Sequence, residues 1–274
     1  MLGTGTPNPD PARSGPALAI VVNDTPYIVD FGPGVVRQAA SLSPRYGGSI
    51  KGLDVKLIKR AFLTHLHSDH TAGFADLILT PWVMGRDEPL QVYGPEGIVE
   101  MAENLLNAYK EDIEYRVNGS EGANKLGWQV DATAVQKGLI YEDENVSVEA
   151  FPVKHGTWTN AFGYRFTTPD RVIVVSGDTT PKSNLEEYTQ DVDILVHQAY
   201  SAAGLENSPP AWQEYMRSNH TSAIELAELA SQVNPELLVL YHVLFMGSNE
   251  DELISEIRQQ FSGDVIIASD LDVY

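Results

Sequence analysis

The most informative stretch of this 274-residue sequence is Phe62-Leu63-Thr64-His65-Leu66-His67-Ser68-Asp69-His70-Thr71-Ala72-Gly73. His65 and His67 stand two apart at the end of an apolar strand, so their side chains leave the same face of that strand. Asp69 and His70 follow where the chain turns, and can point at a second position a few ångströms away. Zinc prefers histidine nitrogen and carboxylate oxygen in such sites, and a catalytic zinc keeps one position for water. The stretch therefore predicts two neighbouring metal ions, each with two of these ligands.

The composition leaves only these ligand types available. The chain contains no cysteine, so thiolate ligands, disulfides and a cysteine nucleophile are all excluded. Histidine and carboxylate must hold any metal. Two residues near the histidine stretch, Asp30 and Thr64, are candidates to orient ligand imidazoles through hydrogen bonds, an arrangement that typically changes metal affinity by ~10–100-fold.

The pattern His-x-His-x-Asp-His at residues 65–70 resembles the signature of the metallo-β-lactamase superfamily. Further histidine and aspartate residues stand at the ends of β-rich blocks, in the order in which that family places its remaining ligands. The resemblance implies a first metal site from His65, His67 and His155, a second site from Asp69, His70 and His242, and a bridging Asp178. Two zinc ions are the implied cofactors, with manganese or iron as alternatives.

A narrower resemblance comes from Asn219-His220-Thr221-Ser222, which precedes a predicted helix. It is similar to the His-x-Thr element of the ribonuclease Z-like group, which includes tRNA 3′-processing nucleases and an arylsulfatase branch. The resemblance extends over nearly the whole chain, through the segments Leu2–Pro7, Ile28–Gly32 and Tyr93–Pro95. It implies a hydrolase that attacks with a metal-bridging hydroxide, in which Asp69 and His220 are catalytic and His220 donates a proton to the leaving group.

Two departures from the tRNA-processing members bear on the substrate. Those nucleases carry a long flexible arm between the third histidine ligand and the bridging aspartate, whereas residues 156–177 hold only a loop and two predicted strands. Their His-Glu-Ala-Thr element corresponds here to His197-Gln198-Ala199-Tyr200. Gln198 is neutral, so it can orient His220 but raises its basicity less than a carboxylate would. His197 is predicted to be structural.

The charge of the chain points in the same direction. Its 38 acidic and 18 basic residues give a formal net charge of −20, and such a field repels phosphate backbones. We therefore expect nucleic acid to be a disfavoured partner and a small ester to be the substrate: an aryl sulfate, a phosphodiester or a phosphotriester. The alternatives are a ribonuclease Z-type tRNA 3′-processing endonuclease and a lactonase or carboxylic-ester hydrolase. Aromatic candidates for the substrate pocket are Trp82, Trp158, Trp212 and Tyr215.

Short β-rich blocks alternate with helical patterns along the sequence. They predict an α/β fold, a four-layer αβ/βα sandwich of two mixed β-sheets flanked by helices. The predicted strands are Ala17–Val22, Tyr27–Val29, Ala61–Thr64, Leu90–Tyr93, Val146–Val153, Gly163–Thr167, Val172–Ser176, Ile194–His197, Leu237–Tyr241 and Val265–Ala268. The predicted helices are Pro95–Tyr109, Ser222–Val233 and Glu250–Phe261, with Thr221 or Ser222 as the cap of the second.

A single domain covering residues 1–274 is the simplest organisation. The polar, weakly periodic segment 110–141 is interpreted as an insertion of loops and short elements that can form a lid. No segment approaches the ~18 apolar residues that a membrane span requires. We expect a soluble protein without a membrane partner, either cytoplasmic or exported with a trimmed N-terminus. The oligomeric state stays open, with a homodimer among the options.

Overall fold

A computed structural model describes residues 1–183 and 185–274. The chain divides into two compact units, of which unit 1 contains Met1–Val135 and Asp270–Tyr274 and unit 2 contains Gln136–Ser269. A mixed β-sheet with helices runs through each unit. This is the predicted combination of two mixed sheets and flanking helices. Whether residues 1–274 act as one domain stays a prediction.

Unit 1 contains a five-stranded sheet in the order β1-β2-β3-β4-β5. Its strands are β1 (Leu18–Val22), β2 (Thr25–Val29), β3 (Arg60–Phe62), β4 (Leu90–Gly94) and β5 (Val130–Ala134), and its helices are α1 (Val35–Leu42), α2 (Ser68–Thr71), α3 (Phe74–Val83), α4 (Ile98–Ala108) and α5 (Lys110–Asn118). Only the β1–β2 pair is antiparallel. The carboxyl ends of β2 and β3 therefore lie at one edge of the sheet, where Asp30 and Thr64 follow them.

Helix α3 contains a proline that sequence patterns treat as a helix breaker. Pro81 has no N–H, so the carbonyl oxygen of Leu77 lacks its usual helical donor. Arg86 replaces that donor, because its Nη1 donates to Leu77 O at 3.1 Å and its Nη2 donates to Ile78 O at 2.6 Å. The same guanidinium also donates to Gly127 O and Ile58 O. Burial lowers the pKa of Arg86 to about 10, which still leaves it charged at neutral pH.

Replacing Arg86 by methionine is expected to lower the free energy of unfolding by at least ~2 kcal/mol. The variant leaves several buried carbonyl groups without a donor, and each such group costs ~1–3 kcal/mol. Arg37→Met is the matched control, since that side chain is 82% exposed and makes one surface ion pair with Asp76. Urea unfolding followed by circular dichroism checks both. Equal midpoints for the two variants would contradict the role given to Arg86.

Unit 2 contains a seven-stranded sheet in the order β12-β11-β10-β9-β8-β7-β6. Its strands are β6 (Gly138–Glu142), β7 (Ser147–Pro152), β8 (Phe162–Thr167), β9 (Val172–Val175), β10 (Ile194–Tyr200), β11 (Leu237–Leu244) and β12 (Val265–Ile267), and its helices are α6 (Ala202–Leu205), α7 (Pro210–Asn219), α8 (Ala223–Val233) and α9 (Glu250–Arg258). The pairs from β9 to β12 are parallel and those from β6 to β9 are antiparallel. Ser222 caps α8 through a reciprocal pair of hydrogen bonds with Glu225, as one of the two predicted caps.

Each predicted strand is present with ends shifted by at most three residues, whereas β5 and β6 were not predicted. The segment 110–141 contains β5, all of β6 except its last residue, and α5. β5 pairs with β4 and β6 pairs with β7, so this segment supplies an edge strand to each sheet. Its role as a lid stays a prediction. Across residues 1–183 and 185–274, no helix is both long and apolar enough to span a membrane.

Candidate metal centre

The four candidate ligands of unit 1 follow β3 in the order that the sequence predicts. His65 Nε2 lies 2.9 Å from His67 Nδ1, and His70 Nε2 lies 3.6 Å from Asp69 Oδ2. Tetrahedral zinc with bonds of ~2.0–2.2 Å holds its ligand atoms ~3.4 Å apart. The centroids of the His65 and His70 rings are 4.2 Å apart, so the two ligand pairs are neighbours. The donor atoms and their spacing therefore fit divalent cations.

Asp30 fixes the two buried imidazoles of this set. Its Oδ2 accepts hydrogen bonds from His70 Nδ1 at 2.8 Å and from the Thr64 hydroxyl at 3.0 Å. Because the Thr64 proton goes to Asp30, its oxygen accepts the Nδ1–H of His65 at 3.0 Å. Both rings thus carry their proton on Nδ1 and present the lone pair of Nε2, the form that binds a metal. Asp30 and Thr64 occupy the orienting positions that the sequence predicts for them.

Replacing Asp30 by alanine is expected to weaken metal binding by ~10–100-fold, because both imidazoles lose the partner that sets their tautomer. Thr64→Val should weaken it less, since His70 keeps its direct bond to Asp30. Asp54→Ala is the control, because its carboxylate makes only a surface pair with Lys56 at 3.7 Å among the ion pairs found in the described residues. Competition with a zinc chelator measures all three affinities. A folded Asp30→Ala protein with unchanged zinc affinity would contradict the role.

Unit 2 brings together the three remaining predicted ligands. Asp178 Oδ2 lies 3.9 Å from His155 Nε2 and 3.7 Å from His242 Nε2. All three side chains are buried. The Asp178 Oδ2 atom therefore lies at 3.7–3.9 Å from two imidazole nitrogens, a spacing typical of atoms that bind a common metal ion. This is the arrangement that a bridging aspartate requires.

A β-bulge in strand β11 sets the direction of the His242 side chain. His242 is the extra residue of a β-bulge, because Gln198 pairs with Tyr241 and Ala199 pairs with Val243. Its φ of 48° lies in the left-handed region, and such a bulge redirects the side chain from its strand position.

His155 is held by a backbone carbonyl that sequence reasoning missed. Its Nδ1 donates to Asn219 O at 2.8 Å, which leaves the lone pair on Nε2, the atom that faces Asp178. The close approach depends on Gly156, where an added Cβ would lie 2.0 Å from Asn219 Oδ1. A glycine directly after a candidate ligand was the only sequence signal for this contact.

His220 faces the same carboxylate as the ligands of unit 2. Its Nδ1 lies 3.8 Å from Asp178 Oδ2, and its side chain is 6% exposed. The ring centroid is 5.2 Å from that of His155 and 6.0 Å from that of His242. A third imidazole thus stands beside the candidate ligands of unit 2, where it can donate a proton to a departing oxygen.

The prediction that Gln198 orients His220 is wrong. The Gln198 amide nitrogen donates to Thr179 O at 2.9 Å, and its Oε1 has no hydrogen-bond partner among the described residues. The carbonyl of Thr179 also accepts from the Thr221 hydroxyl at 2.8 Å. His197 is fully buried with its Nδ1 2.6 Å from Gln198 O, and burial lowers its pKa to about 4, so it stays neutral. The assignment of the ligands of both units to two ions stays a prediction.

The chain is similar to known proteins over almost its full length. A sequence profile described as "Beta-lactamase superfamily domain" matches residues 25–243. Ribonuclease Z of Mycobacterium marinum (strain ATCC BAA-535 / M) is 30% identical over 276 residues, which cover 99% of this chain and 95% of the relative. Ribonuclease Z of Mycolicibacterium gilvum (strain PYR-GCK) is 29% identical, with 99% and 93% covered.

Solved structures show the same fold. The metallo-β-lactamase fold protein YhfI from Bacillus subtilis superposes with a TM-score of 0.75 at 17% identity, covering 100% of this chain and 96% of that one. Human tRNase Z, short form, gives a TM-score of 0.71 at 21% identity, covering 99% and 96%. The predicted metallo-β-lactamase fold is thereby confirmed, and this fold implies a divalent metal.

The expectation that nucleic acid is a disfavoured partner is wrong. The relatives that match nearly the whole chain are named Ribonuclease Z. They match over 93–95% of their own length, so the short connection at residues 156–177 does not separate this chain from them. The charge argument failed because −20 is a sum over the whole chain, whereas nucleic-acid binding depends on the side chains near the site. The relatives support the nuclease alternative better than a small-ester hydrolase.

Proposed function

Because this chain belongs to the ribonuclease Z branch of the metallo-β-lactamase superfamily, we propose that this hydrolase is a metal-dependent endonuclease that processes the 3′ end of precursor tRNA. The observation that carries the proposal is the surroundings of Asp178 Oδ2, with three imidazoles at 3.7–3.9 Å. Two of them match family ligands and the third matches the family's His-x-Thr histidine. This combination suits phosphodiester cleavage, because bound metal can stabilise charge on the phosphoryl oxygens and an imidazole can protonate a poor leaving group.

The proposed ligand assignment follows the family order. Two zinc ions, with manganese or iron as alternatives, would be held at a first site by His65, His67 and His155 and at a second site by Asp69, His70 and His242, with Asp178 as the residue that would serve both. Two bound ions of this kind lower the pKa of water and polarise a phosphoryl oxygen. Support for the assignment comes from each unit separately, since each presents its own ligands at metal-like spacing.

The chain's own groups supply the proton transfers. Asp69 lies beside His70 and is one-tenth exposed, so its carboxylate can accept a proton from the attacking water. His220 donates a proton to the ribose oxygen that departs from phosphorus. Asp30 and the carbonyl of Asn219 keep the ligand imidazoles in one tautomer throughout.

The test is an assay of a precursor tRNA carrying a 3′ trailer, with zinc or manganese restored after chelation. We expect cleavage at the end of the acceptor stem, with activity lost after chelation and recovered with metal. The same preparation is assayed with p-nitrophenyl sulfate, bis(p-nitrophenyl) phosphate, paraoxon and a lactone. Rapid sulfate or lactone hydrolysis together with an intact precursor tRNA would overturn the proposal.

A further inference from the structure

Helix α7 carries two large aromatic side chains on its solvent side. Trp212 and Tyr215 are 46% and 39% exposed, and their rings stack with centroids 5.0 Å apart at an angle of 13°. Residues three apart lie on the same face of a helix, which explains the stacking. Met216 is buried against Tyr200 and Leu205 and packs α7 onto the rest of unit 2. The fold therefore packs the helix through Met216 and leaves the two rings, here called the α7 aromatic pair, at the surface.

The α7 aromatic pair continues directly into the candidate centre. The Tyr215 ring centroid lies 6.2 Å from that of His220, at an angle of 61°. Both ends of the helix are held by residues outside it, because the Gln213 amide donates to Ser208 O at 2.9 Å and the Gly156 N–H donates to Ser218 O at 3.0 Å. A continuous line of rings thus runs from the surface at Trp212 to His220. Its positions are set before any ligand arrives, which lowers the cost of binding.

The charges on helix α7 make such a surface useful to an RNA enzyme. The helix carries one basic residue, Arg217, and one acidic residue, Glu214, so neutralisation of phosphates at this helix can supply only part of the affinity for RNA. Stacking of a base on an aromatic ring does not depend on charge, and each stacked base strengthens binding by about 5- to 150-fold. Flat, exposed rings beside the reacting centre meet this requirement without lysine or arginine.

We propose that the α7 aromatic pair stacks on a nucleobase of single-stranded RNA next to the phosphate that is cleaved. This inference rests on the proposed function and adds a substrate-binding surface to it. The base lies on the outer face of the pair, because the inner faces of Trp212 and Tyr215 already contact each other. Both residues bind substrate and take no part in proton transfer. The α7 aromatic pair would determine which nucleotides are bound most tightly next to the cleaved bond.

The test is a double-mutant cycle between protein and RNA. Metal-loaded wild type, Trp212→Ala and Trp212→Phe are assayed on precursor tRNAs in which single nucleotides around the cleavage point are replaced by abasic ones. We expect Trp212→Ala to raise KM by about 5- to 100-fold with kcat changed less than threefold, and Trp212→Phe to recover most of the loss. At one position, removing the base should raise KM of the wild type as much as Trp212→Ala raises KM on intact RNA. On the RNA that is abasic at that position, Trp212→Ala should raise KM no further, because both changes remove the same contact.

Tyr46→Ala is the matched control, since Tyr46 is 65% exposed on unit 1 and should leave KM unchanged. If Trp212→Ala also leaves KM unchanged while wild type processes RNA, this inference is wrong and the proposed function stands. Additive losses at every abasic position would also overturn it. A shift from dimer to monomer in Trp212→Ala, seen by sedimentation and without a change in KM, would assign the pair to contact with a second copy instead. If wild type cleaves no RNA, the proposed function and this inference both fail.

Discussion

Replacing Asp178 by alanine is expected to remove metal from the protein and to lower activity by at least ~10³-fold. Its Oδ2 lies within 4 Å of ring nitrogens of His155, His220 and His242. In the proposed assignment the Asp178 carboxylate would offset part of the charge of both cations. The activity loss corresponds to about 4 kcal/mol of transition-state stabilisation, which is within what bound metal supplies.

Metal content and activity must be measured on the same sample. After dialysis against a weak chelator, elemental analysis should give far less zinc per chain in Asp178→Ala than in wild type. Asp178→Asn retains an oxygen ligand without the charge and should lie between the two. The control is Asp170→Ala, which removes an exposed carboxylate of unit 2 whose Oδ1 accepts a hydrogen bond from the Thr168 hydroxyl at 3.0 Å. Asp178→Ala with full zinc content and full activity would refute the bridging assignment.

The candidate ligands could be predicted because their signals are local. His65, His67, Asp69 and His70 follow one apolar strand, and the remaining ligands stand directly after or within β-rich blocks. The groups that orient these ligands were visible only in part. Asp30 and Thr64 have polar side chains that mark them, whereas the carbonyl of Asn219 leaves no trace in a side-chain pattern. The β-bulge that aims His242 depends on the register between β10 and β11, which the sequence of neither strand specifies.

Two of the unpredicted elements, β5 and α3, depend on partners outside their own segments. Strand β5 is mostly exposed and has only Val130 and Ala132 against the core, so it is held mainly by backbone pairing with β4. Helix α3 was not among the predicted helices; it contains Pro81, which normally ends a helix, and here Arg86 supplies the missing donor from outside it. In both cases the stabilising partner lies outside the element, and the pattern of the element's own residues cannot reveal it.

The incorrect expectation about nucleic acid has a related cause. Net charge describes the field far from the protein, while the chemistry at the centre depends on a few side chains within 4 Å of Asp178. The neutral Gln198 counted against a tRNA substrate only through an expected contact with His220. Its amide nitrogen instead donates to the backbone oxygen of Thr179. A single substitution in a motif therefore cannot decide the substrate without the hydrogen bonds that the side chain makes.

Replacing His220 by alanine is expected to lower kcat on precursor tRNA by ~10²–10⁴-fold while zinc content stays at the wild-type level. His220 lies beside the candidate ligands, but the family order already assigns a full set of ligands without it. The loss should depend on the leaving group. A ribose oxygen needs a proton as it departs, whereas a p-nitrophenolate ion is stable without one.

The two substrates therefore give His220→Ala an internal control. We expect the variant to lose much less activity on bis(p-nitrophenyl) phosphate than on precursor tRNA, with both measured on one zinc-loaded preparation. Equal losses on both substrates with full zinc would show that His220 stabilises charge at phosphorus instead of protonating the leaving oxygen. A loss of zinc would make it a ligand, which its distance of 3.8 Å from Asp178 Oδ2 also permits. The ratio of the two losses, read together with the zinc content, thus distinguishes proton donation from both other roles of an imidazole at this position.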